Sequence, residues 1–246
     1  MHKSGNKYKC TEPEERILNI YNAKILPDDV IIRKVRSAAR IYQQYVDKDI
    51  LLVFAKSRKG PFYTYQFHAG KENFQHLAGV KYPKGANRFF DRCLDDKNIL
   101  KRNEIVPAEH IKTTSSKINV LPEILNLKNA KVYKCGERDL VTMKNRFSMA
   151  IGNKQGIMGF DKRSYYLPVP VTVMNRSIYE FCSVVSNIFL IMVKSEKDDK
   201  YSDIFYEITE DILHKAAFGC NIRKMIDTGL SEGRILAEVA VTSEGK

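Results

Sequence analysis

The first half of the chain alternates between helical and strand periods of apolar positions. Across residues 28–46 apolar side chains recur with a period near 3.6, which predicts a helix that Asp28 or Asp29 can cap. Residues 50–55 form a continuous apolar run, which is typical of a buried strand. Residues 62–68 alternate between the two faces of a strand, and a turn-forming segment precedes them, so the pattern predicts a β-hairpin.

Strands dominate the later part of the chain. Before them, helices or tight turns are predicted at residues 73–80, 86–95 and 117–127. Strands are predicted at residues 131–135, 147–152, 155–160, 165–173, 187–194 and 201–208. Pro168 and Pro170 predict that the fourth strand is an edge strand or an irregular one, because proline cannot donate a ladder hydrogen bond. The connecting loops are too short for crossover helices, so we predict an α+β fold with N-terminal helices packed on an antiparallel sheet.

The two ends of the chain differ from this middle part. Residues 1–27 are polar and irregular, and we expect an N-terminal extension before an α+β domain at 28–208. Helical periodicity at 208–226 and 231–241 predicts a helical C-terminal extension over 209–246. No apolar run reaches the roughly 18 residues that a membrane-spanning helix needs. The first residues also lack an apolar leader segment, so we expect a cytoplasmic protein without a membrane partner.

Charge is distributed unevenly along the sequence. The 246 residues include 41 Lys and Arg against 29 Asp and Glu, a net charge of +12. Residues 51–150 hold 19 of the basic and nine of the acidic side chains, a net +10, whereas residues 201–246 hold five and eight, a net −3. A positive field attracts polyanions, so we expect RNA or another phosphate-bearing partner. A lysine-rich soluble surface would have the same composition.

Several classes of catalytic site have no motif in this chain. The five cysteines are widely spaced and form no CxxC pair, which argues against a disulfide framework and a cysteine-ligated zinc. Phosphate-binding glycine loops, HExxH and EF-hand patterns do not occur. We therefore expect no cofactor and no metal. Phosphodiester cleavage without a metal needs a base, an acid and cations, and the chain has all three residue types.

Histidine and lysine are concentrated in one segment. His68, Lys71, His76 and Lys81 lie within fourteen residues, in the most basic part of the sequence. Imidazole transfers protons near neutral pH, and ammonium groups stabilise phosphate charge. This composition is typical of a phosphodiester site. Each residue also has a structural interpretation, because a histidine can be packed with its nitrogens hydrogen-bonded and a lysine can be an ordinary surface residue.

The same segment resembles a known family. The string Asn73-Phe-Gln-His-Leu-Ala-Gly79, which follows the strand ending in Phe67-His68, is similar to the motif Asn-Phe-x-His-Leu-x-Gly. An aromatic-rich helix at 86–94 and the late strands follow in the expected order. On these features residues 50–208 resemble group four of the phage-associated barnase–EndoU–colicin–RelE-like (BECR) nucleases. The resemblance implies RNase-like activity, found in toxins and mobile elements, on an α+β fold.

The resemblance and the charge pattern together give expectations for the site. We predict His76 as the main acid/base group, with Lys81 beside it and His68 as a second candidate. Arg88 and Arg92 lie four residues apart on one helical face, where their planar guanidinium groups suit phosphate. The predicted phosphate-binding residues are Lys71, Arg88, Arg92 and Lys194.

Three functions of different classes fit the sequence, and the third of them is an interaction scaffold of a mobile element. The first is a metal-independent ribonuclease of toxin or phage-conflict type, in which the 2′-OH attacks the phosphate and leaves a 2′,3′-cyclic end. The alternative is a non-catalytic protein that binds RNA or a nucleoprotein with the same fold, for example as an anti-defence inhibitor. A cognate antitoxin or a host nucleoprotein would be a further partner of either.

Overall fold

The computed structural model describes residues 25–137, 147–161, 166–209 and 218–227, with most helices preceding most strands. The helices are α1 (Asp28–Tyr42), α2 (Asn73–Ala78), α3 (Ala86–Leu94), α4 (Ile111–Ile124) and α5 (Cys220–Met225). The strands are β1 (Lys48–Ala55), β2 (Tyr63–His68), β3 (Val80–Lys81), β4 (Val106–Pro107), β5 (Lys134–Glu137), β6 (Met149–Gly152), β7 (Ile157–Asp161), β8 (Val169–Met174), β9 (Ser186–Ser195) and β10 (Asp203–Glu207). The predicted α+β class is confirmed.

Helix α1 packs one apolar stripe against the sheet and the other helices. Its buried side chains are Ile31, Val35, Ala38, Ala39 and Tyr42, spaced three and four apart as a helical face requires. The predicted start is correct, but the expected aspartate cap is wrong. Pro27 occupies the cap position, and both aspartates lie inside the first turn without a capping bond. There they stabilise the helix through its dipole instead.

The main sheet has eight strands, and the pairings between its strands are all antiparallel, as predicted. Its order is β2-β1-β9-β5-β6-β7-β8, and β10 pairs with β9 alongside. The predicted hairpin is β1 and β2, with Asp49 opposite His68 at its open end. Strand β8, which contains Pro170, lies at one end of the sheet, so its edge position is confirmed.

The sheet curls until its two end strands approach each other. The backbone N–H of His68, on β2, donates to the carbonyl of Pro168, just before β8, at 2.8 Å. Inside the curl the rings of Phe67 and Phe160 lie 4.5 Å apart, and Tyr65 meets Phe160 edge-on at 5.7 Å. Closure packs the aromatic side chains of β2 against Phe160 of β7, which stabilises the curl.

Strand β1 is buried on both faces, as its continuous apolar run predicted. Ile50 and Leu52 face the large core that includes the helices. Leu51, Val53 and Ala55 face the other way, into a second cluster with Phe218, Ile222 and Ile226 of the C-terminal segment. This segment therefore covers the sheet face that α1–α4 leave open.

Helix α4 differs most from its predicted bounds. It begins at Ile111, six residues before the predicted start, because Thr114 and Ser115 are polar but fully buried. The Thr114 hydroxyl donates to the carbonyl of Gly79 at 2.9 Å, and Ser115 Oγ accepts from the N–H of Leu26 at 2.7 Å. An apolar pattern cannot reveal a helix face whose buried positions are polar.

Parts of both predicted extensions fall outside the described residues. Of the predicted helix at 208–226 the structure describes α5, and the predicted helix at 231–241 lies outside the described residues, as do residues 1–24. Strand β5 begins at Lys134, because residues before it form a 3-10 helix. Within the part of the chain that the structure describes, no helix is long and apolar enough to cross a membrane.

Candidate active site

Three polar side chains lie abreast on neighbouring strands of the main sheet. Asp49 on β1 is opposite His68 on β2 and opposite Lys194 on β9. Directly paired residues project from the same face of a sheet, so the three side chains meet. The next row on that face contains Gln66, Leu51 and Met192. The polar row therefore lies at the end of a face that is otherwise apolar.

Asp49 is the centre of this cluster. Its side chain is 1 % exposed, and it contacts three donors. Oδ1 lies 2.9 Å from Nδ1 of His68, while Oδ2 accepts a hydrogen bond from the Tyr166 hydroxyl at 2.8 Å and lies 3.8 Å from Nζ of Lys194. A buried carboxylate is tolerated only when it is paired in this way.

Two tyrosines complete the cluster. The Tyr166 hydroxyl donates to Asp49, and this bond raises the pKa of Tyr166 to about 12. Tyr201 is buried beneath Lys194, whose Nζ lies 5.5 Å from its ring centre, and its hydroxyl donates to Oε1 of Gln66 at 3.0 Å. Burial, and then the nearby Asp49, raise the pKa of Tyr201. Both phenols therefore stay protonated at neutral pH.

His68 is the group in this cluster best placed for proton transfer. An ionised carboxylate only accepts hydrogen bonds, so Asp49 keeps the proton of the imidazole on Nδ1. Within the described residues Nε2 has no hydrogen-bond partner, and the side chain is 20 % exposed. A carboxylate that holds one nitrogen of a histidine and leaves the other free is the arrangement that orients a general base.

The predicted main residue, His76, is not part of this cluster. It lies on the exposed side of α2, and in the described chain its side chain makes no hydrogen bond or ion pair. The neighbouring Phe74 and Leu77 are buried, and Gly79 ends the helix with a left-handed backbone, φ 66°. Lys81 is exposed at the end of β3. The catalytic roles of His76 and Lys81 stay predictions.

The predicted phosphate ligands separate into different environments. Lys194 belongs to the Asp49 cluster. Lys71 forms an ion pair with Asp91 of α3 at 2.6 Å, and Arg88 is exposed on the same helix. Arg92 donates to both carboxylate oxygens of Glu104, at 2.9 and 2.7 Å, so its guanidinium group joins α3 to the following loop. The structure does not bring Lys71, Arg88 or Arg92 into contact with the cluster.

Of the cluster residues, only His68 and Lys194 were predicted from the sequence, and Asp49 and Tyr166 are the most consequential of those missed. Asp49 precedes a continuous apolar run, so it was taken as a charge that bounds the strand. Its position is odd-numbered like Leu51 and Val53, and this parity places it on the same face. Tyr166 lies just before a proline-containing strand, and nothing local connects it with Asp49. Only the curl of the sheet brings it there.

A metal centre has no donor set in the described residues. No group of three or more His, Cys, Asp or Glu side chains lies close enough together to hold an ion there. The cluster contains only two side chains of types that commonly bind metals, the Asp49 carboxylate and the His68 imidazole, beside an ammonium and two phenols.

Comparison with known proteins finds one matching family. A family described as phage-Barnase-EndoU-ColicinE5/D-RelE like nuclease4 matches residues 34–210, which is more than half of the chain. The chain belongs to this family. No curated protein and no solved structure matches it.

The match places the cluster within the family's domain. As a phage-associated BECR-like nuclease, the chain contributes all six cluster residues from the matched span: Asp49, Gln66, His68, Tyr166, Lys194 and Tyr201. The span begins inside α1, earlier than the resemblance at 50–208 suggested, and it ends before α5. Helix α5 therefore lies outside the matched span.

Proposed function

We propose that this member of the nuclease family is a metal-independent endoribonuclease, with its catalytic centre at the Asp49 cluster. The observation that carries the proposal is the pair of His68 and Asp49, with a free imidazole nitrogen at the surface and Lys194 beside it. The cluster supplies the base, the acid and the cation that RNA cleavage needs when the ribose provides the nucleophile.

In the proposed reaction, Nε2 of His68 takes the proton from the 2′-OH of the substrate. The 2′ oxygen forms a bond to phosphorus, and the bond from phosphorus to the 5′ oxygen breaks. Tyr166, which is about half exposed and stays protonated, gives its proton to the leaving 5′ oxygen. Lys194 stabilises the charge that develops on the phosphorane. The products are a 2′,3′-cyclic phosphate and a 5′-hydroxyl end.

The proposed biological setting follows from the family and the charge. RNA is the proposed substrate, because the matched domain is strongly basic. A toxin or phage-conflict enzyme needs a means of control, so a cognate antitoxin or a host nucleoprotein is the proposed protein partner. A cytoplasmic location belongs to the same proposal, since cellular RNA is found there.

The experiment that tests this function is cleavage of total RNA by the purified protein in the presence of EDTA, with mapping of the ends. We expect 2′,3′-cyclic phosphate ends, unaffected by chelation. His68→Ala should lower the rate by roughly 10²–10⁴, the contribution of one acid/base group. His68→Asn serves as a second variant, because its amide can still donate to Asp49 and preserve the fold.

His76→Ala is the matched control, because it removes the exposed histidine of α2. Retained activity in His76→Ala and lost activity in His68→Ala would place catalysis at the cluster. The opposite result would place it at α2, as the sequence predicted. Strong RNA binding by the wild-type protein with no cleavage under any condition would support the non-catalytic alternative and refute the proposed activity.

A further inference from the structure

A basic groove lies beside α5, at the end of the span that the nuclease family matches: Lys200 lies inside the span and the other lining residues lie beyond it. Its volume is about 520 Å³, and it is lined by Lys200, Phe218, Cys220, Arg223 and Lys224. We infer that this groove is a binding subsite for the phosphate backbone of single-stranded RNA, which extends the substrate contact beyond the catalytic cluster. The inference rests on the proposed ribonuclease function.

The charge of the groove favours a polyanion. Lys200, Arg223 and Lys224 are exposed, and no carboxylate is among its lining residues. In the described part of the chain none of the three forms an ion pair, and Arg223 uses only Nε, which donates to the carbonyl of Phe218 at 3.1 Å. Three exposed cations that line one groove attract successive phosphates.

A second groove of similar size shows the contrast. It lies along α1 and has a volume of about 510 Å³, but Asp28 and Asp29 are among its lining residues. Arg36 and Arg40 in its wall both pair with Asp96, and Arg102 pairs with Asp28 at 3.2 Å. Its cations are largely neutralised within the protein, so it offers less attraction to phosphate than the groove at α5.

The groove at α5 is held in a fixed position relative to the cluster. The N–H of Tyr201 donates to the carbonyl of Met225, and the N–H of Asp227 donates to the carbonyl of Tyr201, both at 2.9 Å. Lys200 is the chain neighbour of Tyr201, whose ring lies beneath Lys194. Tyr201 thus connects the two sites, because its backbone bonds to the segment of the groove and its side chain belongs to the catalytic cluster.

Packing beneath the groove also holds the segment of α5 against the sheet. Phe218 meets Phe62 edge-on at 5.0 Å, and Phe62 in turn meets Phe189 of β9 at 5.4 Å. Ile222 is buried in the same cluster against β1 and β9. Because the cations stand on a packed segment, RNA binding there does not have to order a free tail, which favours affinity.

The test measures binding of non-cleavable RNA of two lengths. Single-stranded 2′-O-methyl RNA of about four and of roughly twelve nucleotides spans the usual range of such sites. Arg223→Glu combined with Lys224→Glu should weaken binding of the longer RNA about 10-fold and reduce its salt slope by about 1.4, the value for two phosphate contacts on a single strand. The affinity for the shorter RNA should change much less, because it occupies the cluster alone.

The matched control is Lys84→Glu combined with Lys97→Glu. It makes the same change of charge at two exposed lysines, one just before and one just after α3. An equal loss of RNA affinity in both double variants, or an equal loss for both RNA lengths, would show that the charges act only by general attraction. Either result would overturn the subsite. Circular dichroism and thermal unfolding show whether the variants fold. Since binding is measured without cleavage, an inactive wild-type protein would refute the proposed function while the length dependence still decides the subsite.

Discussion

Asp49 links every polar group of the candidate active site. It is almost fully buried, and its two oxygens hold His68, Tyr166 and, at longer range, Lys194. Removing one partner from a buried charge leaves the other uncompensated, whereas removing the whole set is milder. Residues that act as one unit therefore give strongly non-additive effects when they are changed singly and together.

A double-mutant cycle tests this unit. Asp49→Asn should lower the cleavage rate by roughly 10²–10⁴, because the amide can stabilise the wrong imidazole tautomer. In the His68→Ala background the same change should cost less than about 10-fold, because the base is already gone. Single-turnover rates of the four proteins give the coupling. Additive losses would show that Asp49 acts on the reaction independently of His68.

Tyr166 gives a pH dependence of stability whose sign follows from its pKa. The free phenol has a pKa of about 10, and the bond to Asp49 raises it to about 12 in the folded protein. A raised value means that folding favours the protonated form. The contribution of the bond to the free energy of unfolding is therefore complete below pH 10 and is lost as the pH rises from 10 to 12. Because the side chain is about half exposed, we expect only about 0.5–1 kcal/mol.

The measurement is urea unfolding of wild-type protein and Tyr166→Phe at several pH values. The variant should be less stable between pH 7 and 9, and the difference should shrink above pH 10. Tyr179→Phe is the control, because this tyrosine is similarly exposed, at 50 %, and in the described chain its hydroxyl has no hydrogen bond. A difference for Tyr166→Phe that stays constant up to pH 11 would contradict the role of the Asp49 bond.

At the scale of single elements, the string that resembles the family forms α2 and its contacts with the rest of the fold. Phe74 and Leu77 in the string are core residues, and Gly79 supplies the left-handed end of the helix. Its carbonyl accepts from the Thr114 hydroxyl and from the N–H of Ala108, both at 2.9 Å. Most residues of the string therefore form the helix and pack it against the rest of the fold, while His76 lies on its exposed face.

Helix α3 separates two arginines that the sequence had paired as phosphate ligands. Arg92 is bonded to Glu104 and to backbone carbonyls of the following loop, whereas Arg88 is exposed. Arg92→Ala should lower the free energy of unfolding by roughly 1–2 kcal/mol, since charge-assisted bonds are lost. Arg88→Ala should change it by less than about 0.5 kcal/mol. Thermal and urea unfolding of both variants give the comparison.

The same ion pair has a defined pH dependence. Hydrogen bonds from Arg92 lower the pKa of Glu104. A lowered value means that folding favours the ionised carboxylate. The contribution is therefore present above the ordinary pKa of about 4.3 and is lost as the pH falls below it. The stability difference between wild-type protein and Arg92→Ala should shrink in acid, and equal destabilisation by Arg88→Ala at neutral pH would contradict the structural role of Arg92.

Elements were more predictable from the sequence than the contacts between them. A continuous apolar run predicted β1, alternation and a turn predicted β2, and the prolines predicted the edge position of β8, because these are local consequences of the backbone. The pairing of Asp49 with Lys194 joins residues more than 140 positions apart in the sequence. Such a pairing depends on which strand the hairpin binds next, and the order of strands in a sheet is not written in any local pattern.

At the scale of the whole molecule, the curled sheet assembles the cluster from distant parts of the chain. β2 supplies His68, β9 supplies Lys194, and the segment before β8 supplies Tyr166 only because the two ends of the sheet meet. Opening this contact would remove Tyr166 from Asp49 without changing the β1–β2–β9 row. The candidate site therefore depends on sheet closure, which no single element determines.

The whole-molecule charge leads to the final prediction, which concerns salt. The chain has a net charge of +12, with +10 of it in residues 51–150. A single-stranded RNA that makes roughly four phosphate contacts should bind with a slope of log affinity against log salt near −3. Affinity should then fall about 50-fold between roughly 50 and 200 mM salt. Fluorescence anisotropy with 2′-O-methyl RNA measures this, and thermal unfolding over the same range shows that the protein itself stays folded. A flat dependence would mean that the positive field has another role than holding a nucleic-acid backbone.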